Sequence, residues 1–203
     1  MLDVLIAQSL TCVKQDRVLF SDLDVILRAG ELVHLTGPNG AGKTSLLRIL
    51  AGLAYPETGS VHINSADTYD VPLLYLGHKL AQNKHLSAIE NLTYWAALQR
   101  VNPSVESLYN ILAQYQLVGL EDLPTGQLSA GQQRRVSLAR TELVQAPLWV
   151  LDEPYTSLDV TGVAFIQARV DEYVSHGGCV IMTSHQALSS SHQVRELALE
   201  YQI

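Results

Sequence analysis

The stretch Gly37–Ser45, reading GPNGAGKTS, narrows what this chain can fold into more than any other. Its spacing puts Gly37, Gly42, Lys43 and Thr44 at the fixed positions of a phosphate-binding loop, with Pro38, Asn39, Gly40, Ala41 and Ser45 completing it. Glu31–Thr36 ahead of the loop reads as a strand and Ser45–Ala51 behind it as a helix, the context such a loop requires. The glycines let the backbone curl so that successive N–H groups point inward, and the helix start adds its positive dipole end. Lys43 can then reach the outer phosphates, and the hydroxyl of Thr44 can ligate Mg²⁺. The expected ligand is a nucleoside triphosphate, and the expected frame is an α/β fold.

The bulk properties agree with one globular domain. A chain of 203 residues with 47% hydrophobic and 16% charged residues is long enough to bury a core and too apolar for disorder. The net charge of −7 argues against a general nucleic-acid binder, which needs a basic face. Cys12 and Cys179 fall in strand-like runs without metal-ligand spacing, so they read as buried thiols in a reducing compartment. The N-terminus lacks a basic start and carries an early Asp3, unlike a signal peptide, and no apolar run reaches the length of a membrane span. The expected location is cytoplasmic, with any membrane association made through a partner.

Strand signals dominate the first third: Leu2–Val13, a turn at Gln15-Asp16-Arg17, Val18–Leu27, Gly59–Asn64 and Val71–Leu76. From about residue 79 to 141 the pattern becomes helical. Ser87-Ala88-Ile89-Glu90 and Ser129-Ala130-Gly131-Gln132 are capping boxes, the first opening a helix to Leu98 and the second a helix to about Val144. Between them, Leu108, Ile111, Leu112 and Tyr115 recur at helical spacing after Ser104. Leu148–Leu151 and Cys179–Thr183 are apolar runs suited to strands buried on both faces, separated by a helix from about Val160 to His176. The tail alternates at Leu197, Leu199, Tyr201 and Ile203 and reads as a closing strand. The organisation expected is a single domain: 1–78 and about 142–203 form the core with its β subdomain, and about 79–141 an inserted helical subdomain.

Asp152 and Glu153 follow the run Leu148–Leu151, and the carboxyl ends of central strands are where ligands bind in such sheets. Asp152 can hold Mg²⁺ through water, and Glu153 can polarise a water for attack on the γ-phosphate. A plain pair of helix-capping acids is the structural alternative.

Leu128-Ser129-Ala130-Gly131-Gln132 resembles the LSGGQ signature of ATP-binding-cassette (ABC) ATPases, with Ala130 in place of the first paired glycine. Together with Asp152-Glu153-Pro154, Ser157-Leu158-Asp159 and Thr183-Ser184-His185, the motifs stand in the order of a full cassette. The resemblance implies a P-loop fold with a mainly parallel central sheet, an N-terminal antiparallel β subdomain and a helical insertion. It further implies a head-to-tail homodimer. In that dimer Ser129, Gly131, Gln132 and the helix start would bind the γ-phosphate of an ATP held by the second subunit. His185 resembles the switch histidine that contacts the γ-phosphate and orients Glu153, and Asp159 the residue that links the two sites.

Two positions depart from the family. The usual glutamine after the strand preceding the helical lobe is replaced by His78, which could serve toward the metal and the attacking water, with Gln82 as rival. The aromatic that usually stacks on adenine is absent; Val13, Lys14 or Arg17 would have to substitute. Tyr75–His78, Glu90–Leu92, Leu128–Val136, Ala146–Trp149, Leu151–Asp159 and Ser184–Gln186 resemble the CcmA-type heme exporter ATPases of cytochrome c maturation. That branch implies a separate CcmB-type membrane permease subunit, other cytochrome c maturation proteins as partners, and a place on the cytoplasmic face of the inner membrane. The alternatives are the ATPase of another transporter, or a soluble cassette ATPase acting on DNA or ribosomes, which would carry coiled-coil insertions or tandem cassettes absent here.

Overall fold

The computed structural model describes residues 2–63, 66–67 and 73–200. In chain order it contains β1 (Asp3–Lys14), β2 (Arg17–Arg28), β3 (Leu32–Thr36), α1 (Lys43–Leu50), β4 (Thr58–Ile63), β5 (Ala66–Asp67) and β6 (Leu74–Leu76). There follow α2 (Ala88–Leu98), α3 (Val105–Gln114), α4 (Ala130–Leu138), β7 (Leu148–Leu151), α5 (Val160–Ser175), β8 (Cys179–Met182) and β9 (Val194–Ala198). Contacts divide the chain into two compact units, Met1–Tyr75 with Ala146–Glu153 and Ala164–Ile203, and Leu76–Gln145 with Pro154–Val163.

The first unit carries an antiparallel sheet, in order β2-β1-β4-β5. Its long hairpin closes through Gln15 and Asp16 at φ 50° and 60°, the left-handed pair that matches the twist of a two-residue turn. The second sheet runs β6-β7-β8-β3-β9, with β7/β8, β8/β3 and β3/β9 parallel. All four residues of both β7 and β8 are buried, as expected for strands covered on both faces. Leu46, Leu47 and Leu50 of α1 pack with Val33, Val150 and Ile181 in one apolar cluster that also takes in Leu5, Leu10 and Leu27. Trp149 stacks on Tyr173 with ring centroids 3.8 Å apart, and the Tyr173 hydroxyl donates to the Ala146 carbonyl. Both cysteines are buried, and desolvation pushes the Cys179 thiol up to about 12. The expected entry of β6 at Val71 and Pro72, the end of β4 at Asn64, and the tail positions Tyr201 and Ile203 lie outside the described residues.

The second unit is helical. Ser87 and Glu90 cap α2 reciprocally, and the Ser104 hydroxyl accepts from Ser107 N–H at the head of α3. Leu92 and Ala96 are buried on α2, as are Leu108, Ile111 and Leu112 on α3. The two amide protons of Asn91 are shared among the carbonyls of Asn83, Leu86 and Ser87 and the Thr125 hydroxyl, while its oxygen accepts from Asn83 N–H. The helix expected to run to about Val144 is shorter: α4 ends at Leu138 and tightens into a 3-10 turn, Ala139–Glu142. The cause is local, because Thr141 Oγ1 donates to the Leu138 carbonyl at 2.8 Å and is also held by the Tyr115 hydroxyl.

Between β6 and α2 the chain has no regular structure of its own from Gly77 to Lys84. Its carbonyls are satisfied instead by side chains of α4 and the turn after it. Arg134 donates to Gly77 and His78, Ser137 to Leu80, and Arg140 to Ala81. Gln82 returns the bond, donating to the Gln133 carbonyl at 2.8 Å.

Candidate nucleotide site

Strands β3, β7 and β8 run parallel, so the residues following each emerge at the same carboxyl end of the sheet. After β3, Gly42 takes φ 101° as the residue that starts α1, and no side chain caps that start. A Cβ at Gly42 would lie 3.1–3.2 Å from Leu19 and the Phe20 ring, a tight fit, and the φ is what calls for glycine at this turn. Lys43 Nζ donates to the carbonyls of Gly37 at 2.6 Å and Pro38 at 3.1 Å, bridging the loop over itself. The loop's N–H groups and this amine surround one end of α1, an arrangement suited to a polyanion.

Asp152 is 2% exposed, and its carboxylate is held from both sides. The Thr44 hydroxyl donates to Oδ2 at 2.9 Å and the Thr183 hydroxyl to Oδ1 at 2.8 Å. The same Thr183 oxygen accepts from Glu153 N–H at 2.9 Å. Glu153 stands at φ 53°, a left-handed conformation that costs an L-residue about 1–2 kcal/mol and persists only where neighbours hold it. Glu153 Oε1 lies 3.5 Å from His185 Nε2; the glutamate side chain is 16% exposed and the imidazole 71%. Downstream, Asp171 pins the chain after His185 by accepting from Ser190 Oγ and from the N–H and hydroxyl of Ser191.

Four sequence-derived residues, Thr44, Asp152, Glu153 and His185, therefore meet at one edge of the first unit, beside the loop Gly37–Ser45. In the sequence Thr183 stands out only as part of the run before His185. Its signal was a hydroxyl at the end of an otherwise apolar strand, where burial demands partners. Of the candidates for the missing aromatic, Lys14 is engaged with the loop, its Nζ donating to Ser45 Oγ at 3.4 Å. Val13 is 39% exposed at the hairpin end.

The second unit holds the other group. Ser129 caps α4, its hydroxyl accepting from Gln132 N–H at 3.3 Å while Gln132 Oε1 accepts from Ser129 N–H at 2.9 Å. Ser129, Gly131, Gln132, Arg135, Ser157 and Asp159 line a groove of about 570 Å³. A Cβ on Gly131 would approach the Ser157 carbonyl to 2.7 Å, whereas Ala130 is exposed, so the departure from the signature falls where a methyl group is accommodated. Asp159 accepts from Gly162 N–H, the Thr161 hydroxyl and Arg135, in that order the causes holding its carboxyl below the usual range. It thereby caps the start of α5. His78 is exposed, with its carbonyl bound by Arg134; the Gln82 amide is committed to the Gln133 carbonyl. Among the described residues no helix is long and apolar enough to cross a membrane.

Residues 20–156 match the family described as ABC transporter. The chain is 46% identical over 201 residues to the cytochrome c biogenesis ATP-binding export protein CcmA of Yersinia pestis, covering 95% of this chain and 91% of that one. It is 45% identical over 191 residues to the protein of the same name from Haemophilus influenzae, covering 91% and 90%. Among solved structures, a putative ABC transporter ATP-binding protein from Pyrococcus furiosus superposes with a TM-score of 0.83 at 27% identity, covering 96% of each chain.

Proposed function

The chain belongs to the ABC transporter family, in the branch of the cytochrome c biogenesis ATP-binding export proteins, and on that premise we propose how its residues work and with whom. It is an ATPase. In this reading the loop Gly37–Ser45 binds the ATP phosphates, with Lys43 exchanging its loop carbonyls for phosphate oxygens. Thr44 Oγ1 and Asp152 Oδ2 are hard oxygen donors 2.9 Å apart and fit Mg²⁺, which when bound neutralises charge on the β- and γ-phosphates. Glu153 accepts the proton of the attacking water as its oxygen approaches the γ-phosphorus, and His185 orients that carboxylate. His78 stands where the family has glutamine; the commitment of Gln82 to α4 supports it over its rival.

The observation that carries this reading is the 3.5 Å approach of His185 to Glu153 beside the Thr44–Asp152 pair. Glu153→Gln tests it: ATP affinity should persist while turnover falls roughly 10²- to 10⁴-fold, the range of a lost general base. Near-normal turnover in the assembled complex refutes it.

In the working assembly, two copies pair head to tail, so that Ser129, Gly131 and Gln132 of one copy reach the ATP bound by the other, with Asp159 beside that contact. A separate permease of the CcmB type carries the membrane-spanning part, and this chain sits peripherally on its cytoplasmic face. ATP binding and hydrolysis then drive heme export, or release of heme-loaded chaperone, for c-type cytochrome assembly. The high identity to the export proteins of that pathway supports this. Deleting the encoding locus and staining for covalent heme tests it: c-type cytochromes should disappear, and their unchanged abundance sinks the assignment.

A further inference from the structure

We propose that Thr183 is a positioning residue for hydrolysis, holding the backbone of Glu153 in the conformation that aims its carboxylate at His185. The inference rests on the reading of Glu153 as the group that accepts the proton of water.

Glu153 directly follows Asp152, and the two carboxylates have different tasks, so the chain must turn sharply between them. It does so by placing Glu153 at φ 53°, which nothing in its own side chain favours. A glycine there would adopt that angle without strain, but would have no carboxylate. The conformation therefore needs an external clamp, and the clamp is a single oxygen. Thr183 Oγ1 accepts from Glu153 N–H at 2.9 Å, and its proton is committed to Asp152 Oδ1 at 2.8 Å. Since the hydroxyl proton points at Asp152, the lone pairs are left to face the amide, so both bonds follow from one rotamer. Thr183 is 1% exposed, and its N–H donates to the Leu151 carbonyl at 3.0 Å, so the hydroxyl is fixed to the sheet. The same residue directly follows β8, two positions before His185. One side chain thus ties the residues after β7 to the segment after β8 that leads to His185.

The test uses the full-length chain assembled with its membrane partner, with ATP and Mg²⁺ as probes. Thr183→Val keeps the shape and removes both bonds. Its kcat should fall roughly 10- to 100-fold, with equilibrium ATP affinity within about twofold of the parent. Thr183→Ser keeps the oxygen and should restore kcat to within about threefold. In a Glu153→Gln background, adding Thr183→Val should lower residual turnover by less than about twofold when the hydroxyl works through Glu153, whereas a loss routed through its bond to Asp152 would persist in full there. If the valine variant does not fold, Thr183→Ala against Thr183→Ser makes the same comparison. A valine or alanine variant with parental kcat overturns the proposal, as does a serine variant as slow as valine, or a full additive loss in the Gln background. Normal turnover by Glu153→Gln alone overturns the reading of Glu153 and this proposal with it. An inactive Glu153→Gln beside a fully active Thr183→Val overturns this proposal only.

Discussion

Asn91 offers a sharp test of how the helical unit is held, because the isosteric replacement should be worse than the truncation. The residue is 5% exposed and its amide faces four oxygens, those of Asn83, Leu86, Ser87 and Thr125. In Asn91→Ala three of these keep a second partner: Thr125 Oγ1 donates to Asn83 O, Thr125 N–H to Leu86 O, and Asn91 N–H to Ser87 O. The main group left without its bond is Asn83 N–H, so the loss is about 2–3 kcal/mol including the small void. For a chain of 203 residues that is a fall in Tm of about 4–12 °C. Asn91→Asp keeps the acceptor for Asn83 N–H but turns an oxygen toward four oxygens. Ionised, it should cost about 2 kcal/mol more than alanine at pH 7.5. The carboxyl escapes by staying protonated, so its folded pKa rises above the unfolded value near 3.9. Stability is then fully present below about pH 4 and is lost as pH rises through the raised folded value. Urea unfolding of both variants at pH 5 and pH 7.5 measures this. The aspartate variant should lose more stability between these pH values than the parent or the alanine variant. An aspartate variant as stable as the parent at pH 7.5 refutes the amide orientation and the reasoning built on it.

His78→Ala should lower turnover roughly tenfold while leaving ATP affinity nearly intact, and Gln82→Ala should instead reduce stability by about 1 kcal/mol through its bond to Gln133. Steady-state kinetics and thermal melts separate the two; a silent His78→Ala moves the metal- and water-facing role to Gln82. Cys179, pushed from 9.0 to about 12 by burial, should resist thiol reagents at pH 8 until the protein unfolds. Because its folded value is raised, its stabilising contribution is intact below pH 9 and declines as pH rises toward 12, so Cys179→Ala should flatten the alkaline loss of stability in urea titrations. A steep loss unchanged in that variant refutes the assignment.

The parts of the site that local chemistry dictates were legible in the sequence. Gly37–Thr44 announced the loop by spacing, and the two capping boxes placed the starts of α2 and α4, each with both reciprocal bonds formed. The fully apolar runs Leu148–Leu151 and Cys179–Met182 identified the buried parallel strands. What periodicity could not reveal were bonds made across long sequence separations. Thr183 to Asp152 and Glu153 spans 31 and 30 positions, and nothing near Thr183 marks it apart from a hydroxyl in an apolar context. The end of α4 was also illegible, since residues 139–144 keep helical propensity while Thr141 turns its oxygen back on the Leu138 carbonyl. Asp159 illustrates a residue whose local task, capping α5 through Gly162 N–H, is visible only once the turn is built.

The irregular stretch Gly77–Gln82 borrows its hydrogen-bond partners from α4 and the turn that follows, through Gln133, Arg134, Ser137 and Arg140. Such directional fasteners resist sliding far better than greasy contact does, because each carbonyl would have to surrender its donor before another could be found. The stretch and the helix are consequently yoked: displacing one without the other would break several of these bonds at once.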